Sequence, residues 1–167
     1  LPVEQEKVQL VRDVCYLSLV ERHRGTGKVV NGFVSGFGYT GSMAIASSVA
    51  HDSHHMIVVG TNQDMMASAA NRLGEVGGGV SVWKDGSELA LVELPIAGLM
   101  SDSKASEVAV KTQAIISAMS ECGCILNNAY MQHTLLALVV IPELRISDLG
   151  LVDVNRFELI SALEPNL

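Results

Sequence analysis

The dipeptide Asp85-Gly86 lies between two runs rich in strand-favouring residues, 80–84 and 87–94. Aspartate and glycine tolerate the positive φ angles of a two-residue hairpin turn, so the pattern is a strong signal for two adjacent antiparallel strands. Other runs also favour strands, the second of them weakened by glycines, and they occupy 11–20, 29–38, 43–49 and 56–59. The chain is therefore expected to be rich in β-structure.

Two segments repeat their core-type residues every three or four positions, the spacing that places them on one face of an α-helix. These residues are Met65, Met66, Ala69, Ala70 and Leu73 in the first helix, and Val108, Thr112, Ile115, Ile116 and Met119 in the second. Thr61 or Asn62 is the expected N-cap of the first helix, and the side-chain oxygens of 101–103 are the expected caps of the second. Beyond Pro142, the pattern predicts an irregular end.

Strands grouped with two principal helices favour a compact α+β domain whose sheets are mixed or antiparallel. The chain has 167 residues, 49% of them hydrophobic, which is enough for one core, so 1–167 is interpreted as a single domain. A (β/α)8 barrel needs about 200 residues or more, and none is expected within this chain.

The formal net charge of −7 argues against a nucleic-acid partner, because proteins of that class cluster Lys and Arg against phosphates. No stretch approaches the roughly 18 apolar residues of a transmembrane helix, so no membrane partner is expected. The three cysteines, Cys15, Cys122 and Cys124, form no even disulfide framework. Reduced thiols in a cytoplasmic protein are the expectation.

The run His51-Asp52-Ser53-His54-His55 holds three of the five histidines of the chain. Imidazole and carboxylate groups are the ones that proteins use for proton transfer and metal binding. An extended backbone would place His51, Ser53 and His55 on one face of the chain. A coiled backbone would bring His51, His54 and His55 together instead. The sequence leaves both arrangements open.

A second polar segment, 21–27, places Glu21, Arg22, His23 and Arg24 beside two glycines. Mixed charge next to glycine can form a loop that binds a polar partner. A solvated loop or a contact between domains is the alternative interpretation.

Several segments together resemble one known family, the C-terminal domain of adenine deaminase. The similar segments keep the family's order and cover most of the chain, and they lie at 21–27, 32–38, 44–54, 57–60, 71–73, 77–79, 94–102 and 140–144. The resemblance implies part of a hydrolase that converts adenine and water to hypoxanthine and ammonia.

That family belongs to the metal-dependent amidohydrolases, so the resemblance also implies manganese or iron at a binuclear centre. A divalent metal ion lowers the pKa of bound water, and the resulting hydroxide attacks the ring carbon that bears the amino group. The family's metal ligands lie in a preceding α/β-barrel domain. The resemblance therefore implies an N-terminal barrel as partner, adenine as substrate and a homo-oligomeric enzyme, with this chain inactive by itself.

The resemblance leads to residue roles if the histidine run lies at the mouth of that barrel. Asp52 and His54 are then the catalytic candidates, and Ser53 and His51 are the candidates for binding substrate. His51, His54 and His55 are candidate metal ligands, because nearby imidazoles with a carboxylate form a plausible ligand set. The family has Asn where this chain has His55, so His55 inherits no role.

Two alternatives remain beside these roles. In the first, Asp52 and Ser53 hold a tight turn by side-chain hydrogen bonds to the backbone, while the histidines pair in the core or at a domain boundary. In the second, the whole chain is a non-catalytic structural or assembly domain that brings subunits or domains together.

Overall fold

A six-stranded antiparallel sheet forms the body of the protein in the computed structural model, which describes residues 1, 3–4, 7–8 and 10–162. The strands in chain order are β1 (Val3–Glu4), β2 (Lys7–Val8), β3 (Val14–Val20), β4 (Val29–Ser35), β5 (Met43–Ser47), β6 (Met56–Gly60), β7 (Gly79–Lys84), β8 (Ser87–Glu93), β9 (Leu144–Ile146), β10 (Leu151–Asp153) and β11 (Glu158–Ile160). The α-helices are α1 (Gln63–Val76), α2 (Ala105–Glu121) and α3 (Ala129–Thr134), and a 3-10 turn, Leu135–Ala137, follows α3.

The main sheet has the strand order β4-β3-β6-β5-β7-β8, and every neighbouring pair in it is antiparallel. Two smaller antiparallel sheets, β1-β2 and β11-β10-β9, complete the described β-structure. The α+β prediction with antiparallel sheets and two principal helices is therefore confirmed. The predicted single domain, 1–167, includes positions 2, 5–6, 9 and 163–167, which lie outside the described residues.

The hairpin signal at Asp85-Gly86 is confirmed by the structure. Strand β7 ends at Lys84 and β8 begins at Ser87. The two turn residues have φ angles of +47° and +86°, the positive values that a hairpin turn of this length requires.

Helix α1 covers one face of the sheet, where the small side chains of β5 let it approach closely. Asn62 is its N-cap, as predicted, and accepts hydrogen bonds from the backbone N–H groups of Asp64 and Met65. Met66 packs next to Gly60, where a Cβ would lie 2.6 Å from the Met66 Cγ. The sheet side of this contact is Ala44, Ala46, Met56 and Val58.

Helix α2 covers the opposite face and buries Ile115, Ala118 and Met119. Two predictions for it are wrong. Ile116 is 47% exposed, because it lies beside the buried stripe and not within it. The cap position is Lys104, which makes no capping hydrogen bond, while Ser101 accepts from the backbone N–H of Ser103.

The prediction of an irregular end beyond Pro142 is also wrong. Three short strands, β9 to β11, form their own antiparallel sheet there. Each has three residues, too few to show a period of two in the sequence. Leu151 packs this sheet onto the main one, since its side chain lies 3.2 Å from the place of a Cβ on Gly32. In the part of the chain described, no helix is long and apolar enough to cross a membrane.

Candidate functional site

The histidine run lies in the loop between β5 and β6, the two strands at the centre of the main sheet. All residues of both strands are buried. The loop therefore begins and ends in the rigid core, and its side chains project from one end of the sheet.

The backbone of this loop is coiled at 51–53 and is closed by its own hydrogen bonds. The His54 N–H donates to the Ala50 carbonyl at 2.7 Å, and the Ala50 N–H donates to Nδ1 of His54 at 3.3 Å. The His51 N–H donates to the Thr134 carbonyl at 3.1 Å, which fastens the loop to the end of α3. The rings of His51 and His54 meet edge to face with centroids 5.0 Å apart. The extended arrangement is therefore wrong, and the coiled one holds for this pair.

His55 does not join that pair, so the coiled arrangement is wrong for this residue. Its side chain is buried, and its ring centroid lies 4.6 Å from that of His23. Its Nδ1 is 3.9 Å from a carboxylate oxygen of Glu21, and its Nε2 is 3.8 Å from one of Asp148. Burial lowers the pKa of His55 below its ordinary value.

Glu21 organises the polar segment 21–27 around its carboxylate. One oxygen accepts from the backbone N–H groups of His23 and Arg24, and the other accepts from the N–H and hydroxyl of Thr26. These hydrogen bonds, led by the one from the Thr26 backbone, lower the pKa of Glu21 to about 2. The segment is therefore an ordered loop around an ionised carboxylate.

Two side chains of this ordered loop bind the histidine loop. Arg22 donates from Nε to the His54 carbonyl at 2.6 Å and from Nη2 to the Ala97 carbonyl at 2.9 Å. His23 donates from Nε2 to the Ser53 carbonyl at 2.6 Å, which assigns its ring proton to that nitrogen. The pairing of Val20 with Met56 places the two loops side by side.

Ser48, at the start of the loop between β5 and β6, binds two further segments, one at Gly79 and one at Gly98. Its Oγ donates to the Gly98 carbonyl at 2.6 Å and accepts from the Gly79 N–H at 2.7 Å. Four segments that carry the family resemblance therefore meet at one end of the sheet, and they are 21–27, 44–54, 77–79 and 94–102. The sequence contains each segment but gives no signal that they converge.

Asp52 and Ser53 are exposed at the tip of this convergence. Neither side chain makes a hydrogen bond to any residue that the structure describes. The alternative in which these two side chains hold the turn is therefore wrong, because backbone groups and the His54 ring hold it. Both side chains are free to contact a molecule or domain outside the chain.

His54 is arranged to act as a hydrogen-bond donor. Its Nδ1 accepts from the Ala50 N–H, so the proton of the neutral ring lies on Nε2. Burial, followed by the adjacent His51 ring, lowers the pKa of His54 and favours this neutral form. A neutral imidazole can donate from Nε2–H to an oxygen or nitrogen of a ligand.

The metal candidates do not form a complete site. Among the residues that the structure describes, no group of three or more His, Cys, Asp or Glu side chains is placed to hold a metal ion. His51 and His54 face each other, whereas His55 is turned toward His23 and Glu21. The His, Cys, Asp and Glu side chains of the described residues therefore do not form a metal centre by themselves.

The fifth histidine, His133 in α3, was not identified as a candidate from the sequence. It is fully buried, its ring meets Phe37 edge to face at 5.9 Å, and neither ring nitrogen has a partner among the described residues. Burial lowers the pKa of His133 to about 3. A lone histidine in the apolar stretch 130–140 was the one available signal. It lies next to Thr134, which accepts the hydrogen bond from His51.

Comparisons with known proteins agree with the family resemblance of these segments. Residues 1–158 match the family described as adenine deaminase C-terminal domain. An adenine deaminase of Ruegeria pomeroyi is 70% identical over 99% of this chain and 28% of its own length. One of Paracoccus denitrificans is 69% identical over 98% of this chain and 27% of its own length.

A more distant relative, an adenine deaminase of Moorella thermoacetica, is 46% identical over 90% of this chain and 25% of its own length. The chain thus spans about a quarter of the length of these relatives. Because the family match covers nearly all of its residues, the chain belongs to the adenine deaminase C-terminal domain family.

Proposed function

We propose that this chain is part of a metal-dependent adenine deaminase, which hydrolyses adenine to hypoxanthine and ammonia, and that its 51–55 loop contributes to the active site. The observation that carries the proposal is the convergence of four family segments beneath the exposed Asp52 and Ser53. Manganese or iron would be held outside this chain, by the N-terminal barrel domain of the full-length enzyme.

Asp52 and His54 are the proposed catalytic residues. His54 carries its proton on Nε2 and can donate a hydrogen bond to the nitrogen that leaves as ammonia. The Asp52 carboxylate is exposed and free to accept a hydrogen bond from the amino group of adenine.

Ser53 and His51 are the proposed substrate-binding residues. The Ser53 hydroxyl can donate to a ring nitrogen of the purine, which has acceptors at several positions. The His51 ring lies against that of His54 and offers a flat surface beside the reacting group.

Substitutions in the full-length enzyme test this proposal. His54→Ala and Asp52→Asn are each expected to lower kcat for adenine by about 100-fold or more, the usual scale for a positioned acid or base. Asp64→Asn is the matched control, since Asp64 is also exposed but lies in the first turn of α1. Circular dichroism and thermal unfolding establish that each variant is folded. Near-normal turnover of both loop variants would refute the proposal.

A structural or assembly role is the second candidate function, and exposed apolar side chains near the C-terminal strands favour it. Phe157 is 86% exposed, Leu149 68% and Leu159 59%. Apolar side chains exposed on one small sheet and its turns are a candidate surface for contact with another subunit or domain. Under this alternative, Phe157→Ser changes the oligomeric state in light scattering, and the loop variants keep full turnover.

A further inference from the structure

We infer that Arg22 is a positioning residue for the candidate site, because its guanidinium group fixes the main chain of His54 against the 94–102 segment. The inference rests on the proposed function, since it concerns the residue that holds the proposed catalytic loop in place. Arg22 lies two residues beyond the end of β3, the strand that neighbours β6 in the sheet.

The two carbonyl groups that Arg22 binds belong to residues in an unusual conformation. Nε donates to the carbonyl of His54 and Nη2 to that of Ala97. Their φ angles are +52° and +57°, in the left-handed region that residues other than glycine seldom adopt. Such conformations persist only where surrounding contacts enforce them. The Arg22 fork supplies one enforcing contact to each residue.

Gly98 shows how closely the guanidinium group is fitted to its surroundings. A Cβ added at this position would lie 2.9 Å from Nη1 of Arg22 and 3.1 Å from its Cζ. The backbone of the 94–102 segment therefore packs directly against the face of the guanidinium group. A side chain at position 98 would displace Arg22 without removing its charge.

Hydrogen-bond geometry, and not charge pairing, defines what Arg22 does here. In the described part of the chain, no carboxylate forms an ion pair with it. Its donors point to backbone carbonyls on two separate segments. A planar guanidinium fork can bind both at once, whereas the single ammonium group of lysine cannot keep the same directions. Arg22→Lys is therefore expected to restore the function only in part.

The test uses the full-length enzyme with Arg22→Gln and Arg22→Lys. Arg12→Gln is the matched control, because Arg12 precedes the same strand, is exposed and makes no side-chain hydrogen bond to the described residues. Arg22→Gln is expected to lower kcat by about 10- to 100-fold with a smaller change in KM, the scale for misplacing a catalytic group. Arg22→Lys is expected to fall between Arg22→Gln and the wild type, and Arg12→Gln to match the wild type.

Gly98→Ala is a supporting variant, because it keeps Arg22 and displaces its guanidinium group, although it also strains the main chain at position 98, where φ is +73°. It is expected to lower kcat in the same direction as Arg22→Gln. If Arg22→Gln fails to fold, Arg22→Lys decides, because it keeps the charge and most of the aliphatic stem. Wild-type kcat in a folded Arg22→Lys enzyme would overturn the inference.

The same series separates this inference from the proposed function. An inactive His54→Ala enzyme together with a fully active Arg22→Gln enzyme overturns the positioning role and leaves the loop's role intact. Full activity of both the His54→Ala and the Asp52→Asn enzyme refutes the proposed function itself.

Discussion

His54 and His133 are the same residue type in opposite environments. His54 lies on a turn, is partly exposed, and has its Nδ1 bonded to the main chain. His133 is fully buried, and neither of its ring nitrogens has a partner within the described residues. His133 has the larger pKa shift, although its ring is not exposed to solvent or to any ligand. A shifted pKa therefore marks a site only when the group can also reach a ligand.

Truncating the two side chains is expected to give the largest difference in stability. His133→Ala removes a fully buried ring and is expected to lower the free energy of unfolding by about 2–4 kcal/mol. His54→Ala loses one long hydrogen bond and is expected to change it by less than about 1 kcal/mol. Denaturant titration of both variants measures the difference. Equal losses of unfolding free energy would contradict the distinction between the buried His133 and the partly exposed His54.

Replacement of His133 by leucine is expected to avoid the loss of stability that alanine causes. The ring nitrogens are buried without partners, and each such group costs about 1–3 kcal/mol. The free energy of unfolding of His133→Leu is therefore expected to equal that of the wild type or to exceed it by about 1–2 kcal/mol in the same titration. A strong loss would mean that the nitrogens bind something essential.

Acidification is expected to destabilise the protein through His133. Its folded-state pKa, about 3, lies below the ordinary value of 6.5, so the unfolded chain binds the proton more readily between these values. Stability therefore falls as pH drops below about 6.5, by up to about 1.4 kcal/mol per pH unit for this group. Unfolding free energies at pH 7 and pH 5 measure the slope. The contribution is expected to vanish in His133→Leu.

Glu21→Gln is expected to loosen the 21–27 loop, which is hydrogen-bonded to the loop that carries His54. The amide has one acceptor oxygen where the carboxylate has two, so it cannot keep all the bonds to the 21–27 loop. Hydrogen exchange of the backbone N–H groups of His23 and Thr26 is expected to become faster, with little change in α3. Unchanged exchange in the loop would show that the carboxylate does not organise it.

Asp52→Asn is expected to have the smallest effect on stability, below about 0.5 kcal/mol, as is usual for an exposed side chain that forms no hydrogen bond to the described residues. Its effect on turnover in the full-length enzyme is expected to be large. A stability loss comparable to that of His133→Ala would return Asp52 to a structural role.

The elements with local signals were predictable. The hairpin at Asp85-Gly86, the Asn62 cap and the burial of Leu73 in α1 follow from neighbouring residues and their spacing. Predictions failed where the deciding contact came from elsewhere. Ile116 lies at the margin of the α2 stripe, and β9 to β11 are too short for a period to appear.

The candidate site was predictable as a list of residues but not as an arrangement. The run 51–55 was identified from its composition, and the pairing of His51 with His54 was one of two arrangements considered. The separate environment of His55 depends on Glu21, His23 and Asp148, which are distant in the sequence. The roles of these side chains in chemistry stay a prediction until turnover is measured.

The sequence by itself determined the strands of the main sheet, the two long helices and the family, because propensity, turn chemistry and residue identity are local properties. The tertiary structure alone decided which segments meet. Strand β6 lies between β3 and β5, and the pairing of Val20 with Met56 brings 21–27 against 51–55. Such pairing joins residues 36 positions apart, and no local pattern encodes it. The burial of His133 and the reach of Arg22 to His54 are consequences of that packing.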